Sequence, residues 1–197
     1  MDFDRIFNIL GNEKFLHMEG LGNEVPFFVH AYDIIRQVEM YKSVHELVKR
    51  LETSGIKTLL IGLYDMVIEH FKATGELEEL FEFEKHSSKT EFLKEMASYT
   101  NPDDLIKPYF QKRMQEDDYR LVMVYRVGEV FPFMRTHTVL NNLQSTVTGL
   151  PLVVFFPGEY ETSPEAGFKL NLFGLFPGPY YRAFKLEDYI IRGKLNG

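Results

Sequence analysis

Apolar residues are distributed along the chain in two patterns, one with the period of a helix and one without interruption. Four uninterrupted runs, rich in β-branched and aromatic residues, are typical of strands covered on both faces. These runs are residues 25–32, 58–64, 121–125 and 152–156. Two shorter strands are predicted at 170–173 and 180–184. The glycine- and proline-rich residues 174–179 are expected to connect them, and residues 161–168 to form a polar loop.

Helical periodicity predicts the elements before the second strand. Phe3, Ile6, Phe7 and Leu10 are spaced as the apolar stripe of an amphipathic helix, which Gly11 ends. Ser43 and Glu46 have the spacing of a capping box and predict that another helix begins there. Gly55 is expected to terminate it in the usual position just past the last turn.

The segment 65–118, between the second and third strands, contains only helical patterns. Ser88 and Glu91 form a second capping-box pattern. Asn101 precedes Pro102, which is the arrangement of a helix cap and a first-turn proline. Pro108 then predicts a kink or break, because proline removes a backbone donor inside a helix. The pattern indicates a helical insertion.

Together these elements predict an α/β fold. Its mainly parallel sheet is flanked by helices, with the helical insertion 65–118 between the second and third strands and a short β-rich C-terminal end. A chain of 197 residues has the length of one domain, so residues 1–197 are expected to form a single α/β domain.

Charge and composition exclude several classes of function. The net charge of −7 argues against nonspecific binding to DNA or to anionic membranes, since both depend on lysine and arginine. The absence of cysteine excludes disulfides and thiolate chemistry. The acidic N-terminus is unlike a secretory signal, and no apolar run approaches the length of a membrane span. A cytoplasmic protein that contacts neither nucleic acid nor membrane directly is the expectation.

The stretch 121–144 contains the most informative candidates for function. A buried strand is followed by Gly128 and then by Pro132, which fits the first turn of a helix. In α/β proteins, ligands bind where a strand ends and a helix begins. This helix carries an unusual number of side chains able to form several hydrogen bonds. The candidate ligand- or partner-binding residues are Arg135, His137, Asn141, Asn142 and Gln144, together with Arg182 near the C-terminal end.

Two interpretations of this helix remain open. In the first, its polar side forms hydrogen bonds to nearby loops and organises the edge of the sheet. In the second it recognises a ligand or partner, and Arg135 is the natural anion partner because its planar guanidinium binds carboxylate or phosphate in a bidentate manner. His137 could act as an acid or base, but no nucleophile with a positioned base accompanies it. No catalytic residue is therefore predicted.

Cofactor and metal chemistry are not indicated. Residues 55–58 resemble a phosphate-binding loop only in part, because the first glycine is missing and the segment precedes a strand instead of following one. A metal site could be assembled from His137, Glu129, Glu159 and Asp65, but nothing in their spacing requires it. We expect neither a cofactor nor a metal.

Several segments resemble the BrxB family of the bacteriophage exclusion (BREX) defence systems. The signature is the string Val127 to Gln144, with Arg-Thr-His-Thr followed by Asn-Asn-Leu-Gln. The similarity continues in order through residues 20–27, 151–160, 172–174 and 180–184. It therefore covers nearly the whole chain. The loop 161–168 is longer than the family resemblance would suggest.

The resemblance implies a bacterial component of a multi-protein system that methylates host DNA and blocks replication of phage DNA. It supplies no catalytic residues and suggests a non-enzymatic adaptor that contacts the alkaline-phosphatase-like component PglZ, and other BREX subunits besides. The alternative is a small-molecule or nucleotide-binding protein, or a hydrolase, that uses the Arg135, His137 and Asn141 face. A deep pocket ringed by these residues would favour the alternative, and an exposed apolar patch would favour the adaptor.

Overall fold

A mainly parallel sheet lies between two layers of helices, as the strand and helix patterns predict. The computed structural model describes residues 3–19, 26–163, 167–181 and 183–189. The strands are β1 (Phe27–Tyr32), β2 (Thr58–Gly62), β3 (Leu121–Tyr125), β4 (Leu152–Ser163), β5 (Gly167–Leu172), β6 (Phe176–Tyr181) and β7 (Phe184–Lys185). The helices are α1 (Phe3–Leu10), α2 (Glu13–Leu16), α3 (Gln37–Thr53), α4 (Leu63–Thr74), α5 (Leu77–His86), α6 (Lys89–Tyr99), α7 (Pro102–Met114) and α8 (Thr136–Thr146).

The parallel strands follow the order β2-β3-β4-β1-β7. Leu152 of β4 is aligned with Phe27 of β1 on one side and with Val122 of β3 on the other. The connection from β1 to β2 crosses the sheet in one direction, and the later connections return in the other. Right-handed crossovers therefore place their helices on opposite faces. Because these strands are parallel, the carboxyl ends of β1, β2 and β3 lie along the same edge of the sheet.

Alternate residues of each strand point into two separate cores. Val122 and Val124 pack with the apolar residues of α4, α7 and α8. Leu121 and Met123 pack with those of α1, α2 and α3. All four side chains are fully buried, which explains why the run 121–125 is apolar at every position. The α/β fold is confirmed.

The first long helix begins earlier than the sequence predicts. Ser43 and Glu46 do not form a capping box, because α3 already begins at Gln37, after a 3₁₀ turn over Ile34–Arg36. Asp33 caps that turn by accepting a hydrogen bond from the Ile35 backbone N–H at 3.0 Å. The buried stripe of α3 also includes Met40, so core packing extends the helix to residues before Ser43.

The predicted insertion consists of α4 to α7. The capping box of Ser88 and Glu91 and the cap at Asn101 are both confirmed. The predicted second strand is shorter than expected, because Leu63 already opens α4. No break occurs at Pro108, since α7 continues through it, held by the buried Ile106 and Phe110 on either side. No helix formed by the described residues is long and apolar enough to cross a membrane.

The C-terminal end contains more strand than the sequence predicts. Instead of ending at Pro157 and Gly158, β4 continues to Ser163 and pairs with β5 antiparallel. The expected polar loop 161–168 is thus largely a hairpin, of which residues 164–166 lie outside the described part. Prolines are also tolerated in β6, because β6 pairs only with β5 among the described strands and so has a free edge. The expected connection 174–179 is mostly strand for this reason.

A side-chain hydrogen bond attaches the last described segment to the sheet. His30 Nδ1 donates a hydrogen bond of 2.5 Å to Glu187 Oε1, and His30 is only 6% exposed. Burial alone would raise the pKa of Glu187, but the hydrogen bond from His30 and its charge hold that pKa below the usual range. Leu186 beside this pair is fully buried. The 183–189 segment is therefore part of the core of the fold.

Replacing Gly158 by alanine should destabilise the protein strongly. Gly158 has a φ of 150°, and a Cβ there would lie 2.1 Å from the Asn171 carbonyl oxygen. We expect a loss of at least about 2 kcal/mol in the free energy of unfolding, measured by urea denaturation. Gly149→Ala is the matched control, because a Cβ at Gly149 meets nothing within 4 Å. Equal stability of the two variants would contradict this account of the β4–β5 pairing.

Candidate functional site

Charged residues meet at the carboxyl edge of β2 and β3. Asp65 lies in the first turn of α4, directly after β2. Arg126 follows β3, and Glu129 lies in the 3₁₀ turn Val127–Val130 that comes next. Because β2 and β3 are parallel neighbours, these groups reach the same point at the edge of the sheet.

The Arg126 guanidinium joins the two carboxylates. Its Nε donates to Glu129 Oε2 at 2.9 Å, its Nη2 donates to the same oxygen, and its Nη1 donates to Asp65 Oδ1. The guanidinium carbon also lies 4.8 Å from the centre of the Tyr64 ring. Burial disfavours the charge on Arg126, but the hydrogen bond and charge of Glu129 outweigh it and raise the pKa of Arg126. Arg126 is therefore firmly held as a cation.

Side chains of α3 and β3 complete this network. The Tyr41 hydroxyl donates to Glu129 Oε1, and Gln37 Nε2 donates to that Oε1 at 3.5 Å. The Tyr125 hydroxyl donates to Asp65 at 3.3 Å. Asp65 and Glu129 thus each accept hydrogen bonds from more than one side chain, and the Arg126 guanidinium contacts both carboxylates. The arrangement connects helices from both faces of the sheet and leaves little capacity for an external anion.

The close approach at this edge explains the glycine that ends β2. A Cβ on Gly62 would lie 2.1 Å from Asp65 Oδ2 and 3.0 Å from the Tyr125 ring. Asp65 could not then reach Arg126 in its present position.

The sequence pattern does not single out Arg126, and it indicates Asp65 and Glu129 only as possible metal ligands. In the structure both carboxylates bind Arg126, while Glu159 lies on β4 and His137 on α8. Across the described ranges, no three His, Asp or Glu side chains are grouped so as to hold a metal ion. The signal available in the sequence was that Asp65 and Arg126 each lie shortly after a buried strand.

The helix that carries the predicted site residues begins later than expected. Pro132 is not in its first turn. The Phe131–Pro132 peptide bond is cis, the chain turns through residues 131–134, and α8 begins at Thr136 with Arg135 as its N-cap. The Arg135 side chain forms no capping hydrogen bond.

The predicted polar face is only partly assembled. Arg135 and Asn141 are exposed, and His137 and Gln144 are half-buried. The interpretation that Arg135 and Asn141 bond to nearby loops is therefore not supported for those two residues. Arg182 lies outside the described residues.

The buried member of the set is Asn142, which is 6% exposed. Its Nδ2 donates to the Thr138 carbonyl oxygen at 3.0 Å, within the same helix. Asn142 therefore contributes to the interior of α8 and not to a surface that a ligand could reach.

Arg135 and His137 come together at a groove beside α8, which we call the edge groove. It has a volume of about 430 Å³ and lies between α6, the 131–137 segment and the β5–β6 pair. Its apolar wall includes Phe131 and Phe176, whose ring centres are 4.9 Å apart. The lining residues are Leu93, Phe131, Pro132, Arg135, Thr136, His137, Leu170, Leu172, Phe176 and Gly178.

A second groove lies on the helical insertion, and we call it the insertion groove. Its volume is about 280 Å³. Phe71 forms its buried floor, while Phe83 and Tyr99 are 38% and 46% exposed. The lining residues are Phe71, Glu76, Glu79, Leu80, Phe83, Glu95 and Tyr99. The two grooves have rims of opposite charge.

Breaking the Arg126 network should destabilise the fold. Arg126→Met leaves Asp65 and Glu129 without their cation, and we expect a loss of about 2–3 kcal/mol in the free energy of unfolding. Arg36→Met is the control, because Arg36 forms an exposed ion pair with Glu39 and should cost less than about 1 kcal/mol. Urea denaturation measures both. A smaller loss for Arg126→Met than for Arg36→Met would refute the network as a structural lock.

The same network should make the fold sensitive to alkali. Burial, with the charge of Asp65 and the hydrogen bond to it, raises the pKa of Tyr125 to about 12. The unfolded chain releases this proton near pH 10, so stability falls as the pH rises from about 10 through 12. Tyr125→Phe should reduce that slope by about one proton. Urea denaturation from pH 8 to 11.5 tests this, and an unchanged slope would rule out Tyr125 as a contributor.

Comparisons with known proteins agree on one family. The profile of the family described as "BREX protein BrxB" matches residues 59–186. A protein of that description from Bacillus cereus (strain H3081.97) is 33% identical over 190 residues, which cover 94% of this chain and 95% of the relative. Another from Escherichia coli O9:H4 (strain HS) is 24% identical over 178 residues, covering 90% of this chain and 86% of the relative.

No solved structure matches the chain. The matched residues 59–186 include Asp65, Arg126, Glu129 and the lining of both grooves, whereas Gln37 and Tyr41 precede the match. The predicted family is thereby confirmed, and the chain belongs to the BrxB family of BREX proteins.

Proposed function

We propose that the chain is a non-enzymatic adaptor subunit of a BREX defence system and that it contacts the PglZ-like component. The observation that carries the proposal is where large apolar side chains are exposed. In the described part of the chain, seven large apolar side chains are exposed, and five of them lie on the insertion, in the β5–β6 turn or at the start of β6. They are Phe81, Phe83, Tyr99, Leu175 and Phe176.

Such exposure supports an interaction surface because it is concentrated and aromatic. Leu175 is 74% exposed and lies next to Phe176, at the rim of the edge groove. Phe83 and Tyr99 form the walls of the insertion groove. Aromatic residues are enriched among the interface residues that contribute most to binding. Clustered apolar exposure of this kind marks a contact site more often than scattered single residues do.

The charge of the protein supports an indirect role in DNA-directed defence. With a net charge of −7, the chain is poorly suited to neutralise phosphates. The cation at the carboxyl edge, Arg126, is also engaged by two carboxylates. We therefore infer that the protein acts on DNA through another subunit. The PglZ-like component is proposed because the family resemblance suggests it.

The alternative function is binding of a small anionic molecule in the edge groove. It is favoured by one observation, namely that Arg135, Thr136 and His137 line a cavity with an apolar wall. Asn141, the third member of the face in that hypothesis, does not line it. The groove is open at its rim, where Phe176 is 46% exposed. This geometry suits contact with a partner at least as well as enclosure of a small substrate.

The adaptor proposal predicts a stable complex that depends on the insertion. Co-expression with the PglZ-like component, followed by gel filtration, should give co-elution. The double variant Phe83→Ser/Tyr99→Ser should weaken binding at least about tenfold, because it removes two aromatic anchors. His137→Ala should have a smaller effect.

Val38→Ser is the matched control, because Val38 is 70% exposed on α3, away from both grooves. Separate elution of the two proteins at micromolar concentration would overturn the proposed partner. If His137→Ala instead kept its melting temperature and abolished phage protection, the edge groove would be the functional site and the alternative would be preferred.

A further inference from the structure

We propose that the insertion groove receives a basic amphipathic helix of a partner protein. This inference rests on the proposed function as an interaction subunit and specifies the chemistry of the contact. It follows from the shape of the groove, from its uncompensated charge and from how little of the α5–α6 pair is buried.

The groove is a trough between two neighbouring helices. The first wall is a stripe of residues at i, i+3, i+4 and i+7 on α5 and its N-cap. The stripe consists of Glu76, which is the N-cap, Glu79, Leu80 and Phe83. On α6, Glu95 and Tyr99 contribute at i and i+4. Only residues 87 and 88 separate α5 from α6, and the Phe83 and Phe92 rings, one on each helix, lie 6.4 Å apart. A third helix fits such a trough by packing its ridge between theirs.

The apolar faces of α5 and α6 are incompletely covered. Of its ten residues α5 buries one, Leu80, and of its eleven residues α6 buries one, Met96. The α7 helix of the same insertion buries three. The Phe71 ring, at the floor, lies 5.8 Å from the exposed Tyr99 ring. An apolar strip thus begins in the core and continues to the surface, where a partner's apolar side chains can extend it.

Charge complementarity specifies a basic partner. Residues 76–84 include five glutamates and no lysine or arginine. Within the described residues, Glu79 and Glu95 form no ion pair, whereas Glu82 pairs with Lys85. Acidic side chains beside an apolar trough favour a helix whose lysines and arginines flank its apolar stripe, because their aliphatic stems pack while their charged ends reach the carboxylates.

Other classes of partner fit the groove less well. Nucleic acid would place phosphates against Glu76, Glu79 and Glu95, which repel them. An extended peptide would need an unpaired strand edge, and the groove is built from helices. The volume of about 280 Å³ accommodates a few apolar side chains in a row, which is the footprint of one helical face.

The test uses the full chain and an 18-residue amphipathic peptide of leucine and lysine as the probe, with fluorescence anisotropy at 150 mM NaCl. An analogue with glutamate in place of lysine serves as the negative peptide. Glu79→Lys/Glu95→Lys should weaken binding of the leucine–lysine peptide at least about tenfold. The matched control Glu46→Lys/Glu52→Lys changes the net charge equally on exposed positions of α3 and should weaken it less than about threefold.

A third variant separates shape from charge. Phe83→Ser leaves the net charge unchanged and should also weaken binding at least about tenfold, because it removes one wall of the trough. The inference is overturned by absent binding of the leucine–lysine peptide, by equal weakening in both charge-reversal variants, or by equal binding of the glutamate analogue. Thermal melting of each variant establishes that the fold is retained.

The same variants separate this inference from the proposed function. If the complex with the PglZ-like component forms and survives Glu79→Lys/Glu95→Lys, the basic-helix inference is wrong while the adaptor role stands. If that complex does not form but the leucine–lysine peptide binds at the groove, the proposed partner is wrong while the inference stands.

Discussion

The arrangement of the sheet edge depends on the ion pairs that the Arg126 guanidinium forms. Arg126 lies at the end of β3 and contacts Asp65 of α4 and Glu129 of the following turn. Glu129 in turn accepts a hydrogen bond from Tyr41 of α3. Since α3 and α4 pack on opposite faces of the sheet, one cation connects both layers. Removing three partly buried charges from water is costly, and only their mutual contacts offset that cost.

This network also decides where the protein can bind other molecules. In parallel sheets the carboxyl edge is the usual place for a ligand. Here that place is occupied by the protein's own ion pairs and by the rings of Tyr41 and Tyr64 around Arg126. Two concave surfaces of the described part lie elsewhere, the edge groove and the insertion groove, and both are built on elements of the same face of the sheet. One has Arg135 at its rim and the other has glutamates, so the two surfaces differ in the sign of their charge.

The sequence was sufficient where structure depends on neighbouring residues. The apolar run 121–125 predicts a buried strand because every one of its side chains faces a core. The Ser88 capping box is satisfied within one turn of helix. The predictions were wrong where the bounds of an element depend on contacts between residues distant in sequence. Core packing begins α3 six residues before Ser43, and pairing with β5 carries β4 past Pro157 and Gly158. Arg126 and Asp65 are 61 residues apart, so their contact depends on strand order, which no local pattern encodes.

The residues of the candidate site show the same difference between local patterns and distant contacts. The polar residues of α8 stand out in the sequence, yet Asn142 is used inside the helix and Asn141 lies away from the groove. The insertion, in contrast, has an ordinary amphipathic pattern whose apolar stripe exceeds what the body of the protein covers, as Phe83 and Tyr99 demonstrate. Elements with few buried contacts contribute least to stability and open most readily. A partner helix of the kind proposed above would bury the exposed surface of α5 and α6. Such a contact would gain apolar burial that the isolated fold lacks, and this gain is the thermodynamic reason for proposing an interaction at the insertion.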